Sequence, residues 1–188
     1  QAGCLTVLAG RGNNAGDGYL IAAQAKRAGW QVQVLAVGEA AQLQGDAAQA
    51  CAEARAAEVE IVPWSECAPL RGVLVDALLG TGLTGPVREP YAQAIRLING
   101  SGLPVLAVDI PSGLCADTGS ELGVAVRADL TVSFIALKMG LFSGVAADRV
   151  GALVFAPLQT DPQVQAQVPA IAQRLAPGGL LTLPPRAR

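Results

Sequence analysis

The sequence predicts an α/β fold with a doubly wound, largely parallel sheet and helices on both of its faces. Short apolar runs alternate along the chain with longer helical segments, which is typical of strand–helix–strand crossovers. The chain has 188 residues, of which 52% are hydrophobic and 15% are charged. This length suits one well-buried domain, and this composition excludes disorder over most of the chain.

The first part of the chain contains three predicted strands and two predicted helices. Residues 5–9 form an apolar run that ends at a glycine, and a helical pattern follows over residues 17–28. Residues 31–37 alternate like a strand, whereas residues 40–58 are rich in Ala, Gln and Glu and favour a helix. Residues 59–62 form a short third strand.

The second part of the chain continues the alternation of strands and helices. A buried strand is predicted over residues 72–79, and a helix with one apolar face follows over residues 90–99. Three further strands are predicted over residues 104–108, 130–136 and 150–155.

The last 31 residues, 158–188, differ in composition from the rest of the chain. Their apolar pattern is weak, and Gln, Pro and Gly punctuate them. We interpret residues 1–157 as one domain and residues 158–188 as a linker toward a further domain. Since the chain does not begin with Met and lacks a signal-peptide pattern, we expect it to begin inside a longer protein.

Charge and hydropathy exclude several classes of protein. The net charge is −2, and no cluster of Lys and Arg is present, so nucleic acid is not an expected partner. Charged residues, Gly or Pro interrupt every apolar stretch before it could span a membrane. The four cysteines have no C-x-x-C spacing and the chain has no histidine, which excludes the usual zinc sets and predicts reduced, cytoplasmic thiols.

The first of three unusual loops follows the first strand and reads Gly10-Arg11-Gly12-Asn13-Asn14-Ala15-Gly16-Asp17-Gly18. It contains a G-x-G-x-x-A pattern, in which glycines let backbone N–H groups approach a pyrophosphate at a helix N-terminus. The second strand ends without the acid that normally binds a ribose, since the nearest acid, Glu39, lies beyond it. The alternative is a tight loop in which Asp17 caps the helix.

The second loop follows a strand that contains an acid, Asp76, among apolar residues. Because a buried carboxylate needs a partner or a cation, Asp76 is a candidate site residue. The loop itself, Gly80-Thr81-Gly82-Leu83-Thr84-Gly85-Pro86, supplies N–H and hydroxyl donors for an anionic ligand. A flexible connection without a binding role is the alternative.

The third loop places Asp109 at the end of a strand, with Pro111-Ser112-Gly113 turning the chain directly after it. Lys138 likewise follows an apolar strand, and three roles stay open for it: pairing with Asp109, contacting a phosphate, or extending into solvent. The oxygen-bearing side chains of Asn14, Asp76 and Ser112, one from each loop, suit a hard cation, and a set with one carboxylate favours a monovalent ion.

These loops together resemble the NAD(P)H-hydrate epimerase family, also called the YjeF N-terminal family. The motifs that carry the resemblance occur in order from about residue 4 to residue 158. They read Gly-x-Gly-Asn-Asn-x-Gly-Asp-Gly, Val-Asp-Ala-Leu-Leu-Gly-Thr-Gly-Leu, Val-Asp-Ile-Pro-Ser-Gly-Leu, Ala-Asp-Thr-Gly and Phe-Ile-Ala-Leu-Lys-x-Gly-Leu. Ala15 stands where the family more usually has a Gly.

The resemblance implies a Rossmann-like fold, usually dimeric, that interconverts the R and S forms of the hydrated nicotinamide cofactors NADHX and NADPHX. It implies a potassium ion held by Asn14, Asp76 and Ser112. It implies substrate contacts at Asn13, Asn14, Ala15, Gly16, Asp17, Gly80, Thr81, Gly82, Leu83, Thr84, Gly85, Pro86 and Asp109. It also implies a homo-oligomer in the full-length protein, a dehydratase domain beyond the linker in the same chain, and a helical N-terminal segment that this chain lacks.

The proposed chemistry suits a site without histidine, since any proton transfer must use another group. Loss of the C6 hydroxyl leaves a cation that the neighbouring ring nitrogen stabilises, and water can return to either face. We expect Asp109 to act as the acid and base and Lys138 to tune it. Two alternatives are a non-catalytic nucleotide-binding or protein-interaction module, and an NAD-dependent oxidoreductase, which the missing ribose-binding acid argues against.

Overall fold

The chain divides into two compact units, Gln1–Leu158 and Gln159–Arg188, in a computed structural model that describes residues 3–161, 163, 167–168 and 170–172. All seven described strands and all three described α-helices lie in the first unit. Most of the predicted linker, residues 158–188, lies outside the described residues, so its role stays a prediction.

The strands and helices of the first unit alternate along the chain. They are β1 (Cys4–Ala9), α1 (Asn13–Arg27), β2 (Gln31–Ala36), α2 (Gly45–Ala56), β3 (Glu60–Pro63), β4 (Val73–Ala77), α3 (Tyr91–Gly100), β5 (Val105–Val108), β6 (Leu130–Phe134) and β7 (Ala152–Ala156). Short 3-10 turns occur at Ala40–Gln42, Met139–Leu141 and Ala146–Asp148.

The seven strands form one sheet in the order β3-β2-β1-β4-β5-β6-β7, and every neighbouring pair is parallel. The chain therefore winds from β1 toward one edge of the sheet and, after returning to β4, toward the other edge. This arrangement confirms the predicted α/β fold with a doubly wound parallel sheet.

Apolar side chains that alternate along the strands build a core on each face of the sheet. On β1, Val7 packs in the core that contains α1 and α2, whereas Leu8 packs in the core that contains α3. The first core holds many alanines, which let α1 and α2 approach the sheet and each other closely. Helices on both faces are thus confirmed.

Two predicted helix boundaries are wrong. Helix α1 begins at Asn13 rather than at residue 17, because the N–H groups of Ala15 and Gly16 donate to the Gly12 carbonyl and close the first turn. Gly12 is the N-cap and no side chain caps this helix, so the alternative role of Asp17 as a cap is also wrong. The helix predicted over 40–58 divides into a 3-10 turn and α2, since Leu43 is extended and Gly45 has a positive φ.

The other predicted elements agree with the structure to within a few residues. All four cysteines are free, and the cytoplasmic location predicted from them stays a prediction. Among the described residues, no helix has the length and apolar character needed to cross a membrane.

Candidate functional site

The three unusual loops meet because β1, β4 and β5 are neighbours in a parallel sheet. Their carboxyl ends lie along one edge, where ligands bind in open α/β sheets. Direct hydrogen bonds join the loops: Gly10 N donates to Ala77 O over 3.0 Å, and Ser112 N donates to an Asp76 carboxylate oxygen over 2.8 Å. The loops therefore form one connected site.

A cavity of about 760 Å³ opens at this edge. Its volume falls within the range of about 300–1,000 Å³ that is usual for small-molecule and cofactor sites. Residues of all three loops and the start of α3 line it: Arg11, Gly12, Asn13, Asn14, Asp17, Leu78, Leu79, Gly80, Thr81, Gly82, Leu83, Thr84, Tyr91 and Asp109.

Most of the residues predicted to contact substrate line this cavity, but four do not. Ala15 is fully buried in the core beneath α1, and Gly16 packs against α2, where an added Cβ would lie 3.2 Å from Ala47 Cα. Gly85 and Pro86 are exposed beyond the cavity wall. Ala15 and Gly16 therefore bring helix α1 close to its neighbours, while the residues beside them face the cavity.

Asp76 lies at the floor of the site and is fully buried. One carboxylate oxygen accepts from the Ser112 hydroxyl over 2.6 Å and from Leu78 N over 3.3 Å, and the other accepts from Ser112 N. Burial raises the pKa of Asp76 to about 6, and the hydrogen bonds from Ser112 and Leu78 oppose that rise. The carboxylate thus holds two loops together. Its hydrogen bonds offset only part of the free energy that burial of its charge costs.

Asn14 joins the same cluster from helix α1. Its Nδ2 donates to the Leu79 carbonyl over 3.0 Å, and the Ser112 hydroxyl lies 3.1 Å from that carbonyl. Asn14 Oδ1 is buried and has no hydrogen-bond partner within the described residues. An amide oxygen left unpaired in this way costs about 1–3 kcal/mol.

The predicted cation ligands Asn14, Asp76 and Ser112 are therefore linked, because Asn14 and Ser112 share the Leu79 carbonyl as acceptor and Ser112 also donates to Asp76. A hard cation would offset both the unpaired Asn14 oxygen and the buried charge of Asp76. The described residues include no group of three or more His, Cys, Asp or Glu side chains suited to a metal. The donor set fits a weakly charged cation such as potassium better than zinc or calcium.

Asp109 directly follows β5, lines the cavity and has a positive φ of 66°. The ammonium of Lys138 contacts one of its carboxylate oxygens, Oδ1, and Phe134 N donates to the same oxygen over 3.0 Å. Lys138 Nζ also donates to the Phe134 carbonyl over 2.9 Å. Of the three roles left open for Lys138, the structure shows the ion pair with Asp109.

Both side chains of this ion pair are largely shielded, with 17% of Lys138 and 19% of Asp109 exposed. All described contacts of the Asp109 carboxylate go to Oδ1. The second oxygen, Oδ2, is therefore available to a ligand in the cavity that Asp109 lines.

Asp17 supplies a second carboxyl group to the same cavity. Burial, and secondly the negative charge of Asp109, raise the pKa of Asp17. The sequence indicated Asp17 as a substrate contact or a helix cap. It did not indicate that Asp17 and Asp109 would line one cavity and interact electrostatically.

Five lining residues were not among the predicted contacts: Arg11, Gly12, Leu78, Leu79 and Tyr91. Arg11 occupies the variable position between two glycines of the first loop, and Tyr91 begins α3 after an irregular segment. Only the doubly wound topology brings the start of α3 to the same cavity as the first loop.

Comparison with protein-family models shows which family the chain belongs to. The family model described as YjeF-related protein N-terminus matches residues 1–140. The chain belongs to this family. This chain is 46% identical to the bifunctional NAD(P)H-hydrate repair enzyme Nnr of Coxiella burnetii over 151 aligned residues. These residues cover 80% of this chain and 31% of that protein.

This chain also resembles other proteins, both in sequence and in structure. The bifunctional NAD(P)H-hydrate repair enzyme Nnr of Escherichia coli is 44% identical over 165 residues, which cover 86% of this chain and 32% of that protein. The chain thus spans about a third of the length of these curated relatives. The crystal structure of yeast ynu0, YNL200c, shares the fold with a TM-score of 0.66 and 22% identity, over 80% of this chain and 64% of that one.

Proposed function

We propose that this chain interconverts the R and S forms of hydrated nicotinamide cofactors, NADHX and NADPHX, at C6 of the nicotinamide ring. Family membership and the names of the relatives support a role in NAD(P)H-hydrate repair. The observation that carries the proposal is Asp109, which lines a cavity of about 760 Å³ and forms an ion pair with Lys138. Such a pair can deliver and recover one proton beside a bound ring.

The reaction requires one bond to C6 to break and form again. The Asp109–Lys138 pair gives up one proton through Asp109 to the C6 hydroxyl; the C6–O bond breaks, water leaves, and the ring nitrogen lone pair forms a C=N⁺ bond. A water molecule then adds to C6 from the other face and gives one proton to the Asp109 carboxylate. The enzyme returns to its starting state, and the product differs from the substrate only in configuration.

The geometry of Asp109 suits this role. Because Oδ1 is held by Lys138 and by Phe134 N, the carboxyl group has a fixed orientation and Oδ2 carries the proton toward the ring. Lys138 holds the Asp109 carboxylate in place and balances its negative charge before the cationic ring forms. Asp17, on the same cavity, adds a second acid near the developing positive charge.

Asn14, Asp76 and Ser112 are the residues that would hold a potassium ion. When bound, the ion supplies a fixed positive charge beside the phosphates of the substrate. The unpaired Asn14 Oδ1 and the fully buried Asp76 support this assignment.

The remaining lining residues suit the dinucleotide part of the substrate. Asn13 and Asn14 line the cavity and begin α1, where the first N–H groups of a helix have no partner within the helix, a favourable place for a pyrophosphate. Residues 80–84 add backbone N–H groups and the hydroxyls of Thr81 and Thr84.

We further propose that this domain is joined to a dehydratase domain in the full-length protein and assembles there as a homo-oligomer. The bifunctional names of the relatives, and their length of about three times this chain's matched part, support the second domain.

The experiment starts from one purified epimer of NADHX or NADPHX at neutral pH and follows both epimers by chromatography, with the uncatalysed rate subtracted. We expect the chain to accelerate the approach to the equilibrium mixture, and to do so faster in potassium than in sodium at equal ionic strength. No acceleration in either salt contradicts the proposal and favours a binding module. Net consumption of NAD⁺ or NADH with a second substrate would instead indicate an oxidoreductase.

Asp109→Asn tests the catalytic role with little risk to the fold, because Asn tolerates the positive φ of this position and keeps the side-chain shape. General acid–base catalysis contributes about 10²- to 10⁴-fold, so the rate should fall by that factor while substrate binding is retained. The exposed Asp148→Asn is the matched control and should keep full activity. An Asp109→Asn variant with unchanged turnover would show that another group moves the proton.

A further inference from the structure

Arg11 lies between the first loop and the end of the second strand. An added Cβ at Gly38 would lie 2.7 Å from Arg11 Nε and 3.1 Å from Arg11 Cγ, so the arginine side chain lies directly against Gly38. Gly38 follows β2 by two residues and has a positive φ of 124°. A residue with a Cβ at position 38 would exclude the arginine from this place.

In dinucleotide-binding α/β sheets, the residue at the end of the second strand contacts the adenosine ribose. The glycine-rich loop after β1 binds the pyrophosphate, and an acid at the end of β2 binds the 2′-hydroxyl of the adenosine ribose, whereas an arginine there accommodates a 2′-phosphate. In this chain the residues that end β2 are Ala36, Val37 and Gly38. The position normally taken by the acid is therefore covered by the Arg11 side chain.

The positive charge of Arg11 is available to a ligand. Arg11 is exposed at the cavity that Asp109 also lines, and within the described residues no hydrogen bond or ion pair engages its guanidinium. Burial raises the pKa of the Tyr91 hydroxyl and the charge of Arg11, which lines the same cavity, opposes that rise.

The nearest acid, Glu39, is engaged elsewhere. Its carboxylate accepts a hydrogen bond from the Gln42 side chain within the 3-10 turn that follows β2. Within the described residues, Arg11 therefore lines the cavity without a hydrogen-bond partner, whereas Glu39 is exposed, is paired with Gln42 and does not line the cavity.

The two ends of the cavity also match the two halves of a dinucleotide. Asp109 and Lys138 lie after β5 and β6, on one side of the α1 N-terminus, and Arg11 lies over the end of β2 on the other side. A pyrophosphate at α1 therefore places the nicotinamide ring toward Asp109 and the adenosine ribose toward Arg11.

We propose that Arg11 binds the 2′-phosphate of the adenosine ribose and gives the site a preference for NADPH-derived over NADH-derived hydrates. This inference rests on the proposed function for the identity of the substrate, and it adds which of the two substrates the site favours. A guanidinium and a phosphate form a paired, charge-assisted contact that no other described residue at this end of the cavity supplies.

Binding of NADP⁺ and NAD⁺ to the 188-residue chain tests the preference without turnover. Isothermal titration calorimetry should give a Kd for NADP⁺ lower than that for NAD⁺ by about tenfold to a hundredfold, the range expected for hydrogen bonds to a charged group. In Arg11→Gln the two Kd values should agree within about threefold, chiefly through weaker NADP⁺ binding. Arg11→Lys keeps the charge without the planar fork and should retain part of the preference.

Two matched variants make the result specific. Arg127→Gln removes the same charge at the opposite end of the sheet, just before β6, and should leave both Kd values unchanged. Glu39→Gln should leave NAD⁺ binding unchanged, whereas weaker NAD⁺ binding in that variant would show that Glu39 binds an unphosphorylated ribose and would overturn the inference. Equal Kd values in the unmodified chain, absence of binding, or a preference that persists in Arg11→Gln would also overturn it.

The two proposals fail separately. An Arg11-dependent preference for NADP⁺ in a chain that does not epimerise NADHX or NADPHX removes the catalytic proposal and keeps the phosphate site. Epimerisation at equal efficiency for both hydrates, with equal Kd values for NADP⁺ and NAD⁺, keeps the catalytic proposal and removes the role of Arg11.

Discussion

The buried carboxyl group of Asp76 should make the stability of the fold depend on pH in a way that one substitution removes. Asp76 is fully buried, and its hydrogen bonds to Ser112 and to Leu78 N only partly offset the cost of its charge. Its pKa is about 6 in the folded chain against 3.8 for an ordinary aspartate. Asp76→Asn keeps the shape of the side chain and removes the titration.

The sign and size of the effect follow from the shift. A raised pKa means that the folded state holds its proton more tightly than the unfolded state does, so the stabilising contribution is fully present below pH about 4 and is lost as the pH rises through about 6. At about 1.4 kcal/mol per unit, the shift corresponds to about 3 kcal/mol. The unmodified chain should therefore lose about 2.4 kcal/mol of this relative to Asp76→Asn between pH 4 and pH 7.

Urea unfolding followed by circular dichroism measures this difference. The free energy of unfolding of both chains is determined at pH 4, 5, 6 and 7 in potassium-free buffer, and only the change of the difference with pH is used, because altered hydrogen bonding in Asp76→Asn adds a constant offset. Asp148→Asn, at an exposed position, controls for loss of an acid and should titrate like the unmodified chain. A difference that stays constant from pH 4 to pH 7 would refute the reasoning from burial.

The other predictions concern the same cluster and the loops around it. Ser112→Ala removes the shorter of two hydrogen bonds to an Asp76 oxygen and leaves Leu79 N without its acceptor. It should lower the free energy of unfolding by about 2–4 kcal/mol in urea titrations, and a loss below about 0.5 kcal/mol would contradict the hydrogen-bond assignment. Potassium should raise the melting temperature more than sodium does, and Asn14→Ala should abolish that difference; a salt effect that survives in this variant would place the ion elsewhere. Gly10→Ala places a Cβ 1.9 Å from the Leu78 carbonyl oxygen and should destabilise the fold by about 3 kcal/mol or more, whereas normal thermal unfolding would show that this contact relaxes.

The strands were predictable from the sequence because the parallel sheet buries them on both sides. Apolar runs such as 5–9 and 104–108 end at a Gly or an Asp, and these residues mark the carboxyl ends of β1 and β5 within a residue or two. The same pattern placed Asp76 inside a strand and Asp109 after one. Most of the candidate site could therefore be predicted as loops that follow strands.

The start of helix α1 was not predictable because a tertiary contact determines it. Gly12, Asn13 and Asn14 have weak helix propensity and favour turns when considered locally. In the structure the Leu79 carbonyl, from a loop more than sixty residues away, accepts the Asn14 side chain and fixes the first turn. Local propensity cannot include a partner that the topology supplies.

The Arg11–Gly38 contact was hidden for a related reason. The G-x-G-x-x-A pattern leaves position 11 unspecified, and the missing acid after β2 indicated only what the site lacks. The structure joins these two observations, since the space above Gly38 is filled by Arg11. The missing acid after β2 and the unassigned Arg11 are therefore connected, because the Arg11 side chain lies against Gly38 at the end of β2.

The topology also explains why the residues proposed to bind the ion, to move the proton and to bind the phosphates occur together. The chain leaves β1 toward β2 and leaves β4 toward β5, so the connections diverge at the boundary between β1 and β4 and open a crevice there. Asp76, on β4, accepts hydrogen bonds from Ser112 there, and Asn14 donates to the Leu79 carbonyl that Ser112 also contacts. A substitution that separates the two central strands should therefore weaken cation binding and dinucleotide binding together, whereas one at Lys138 should reduce turnover and leave both intact.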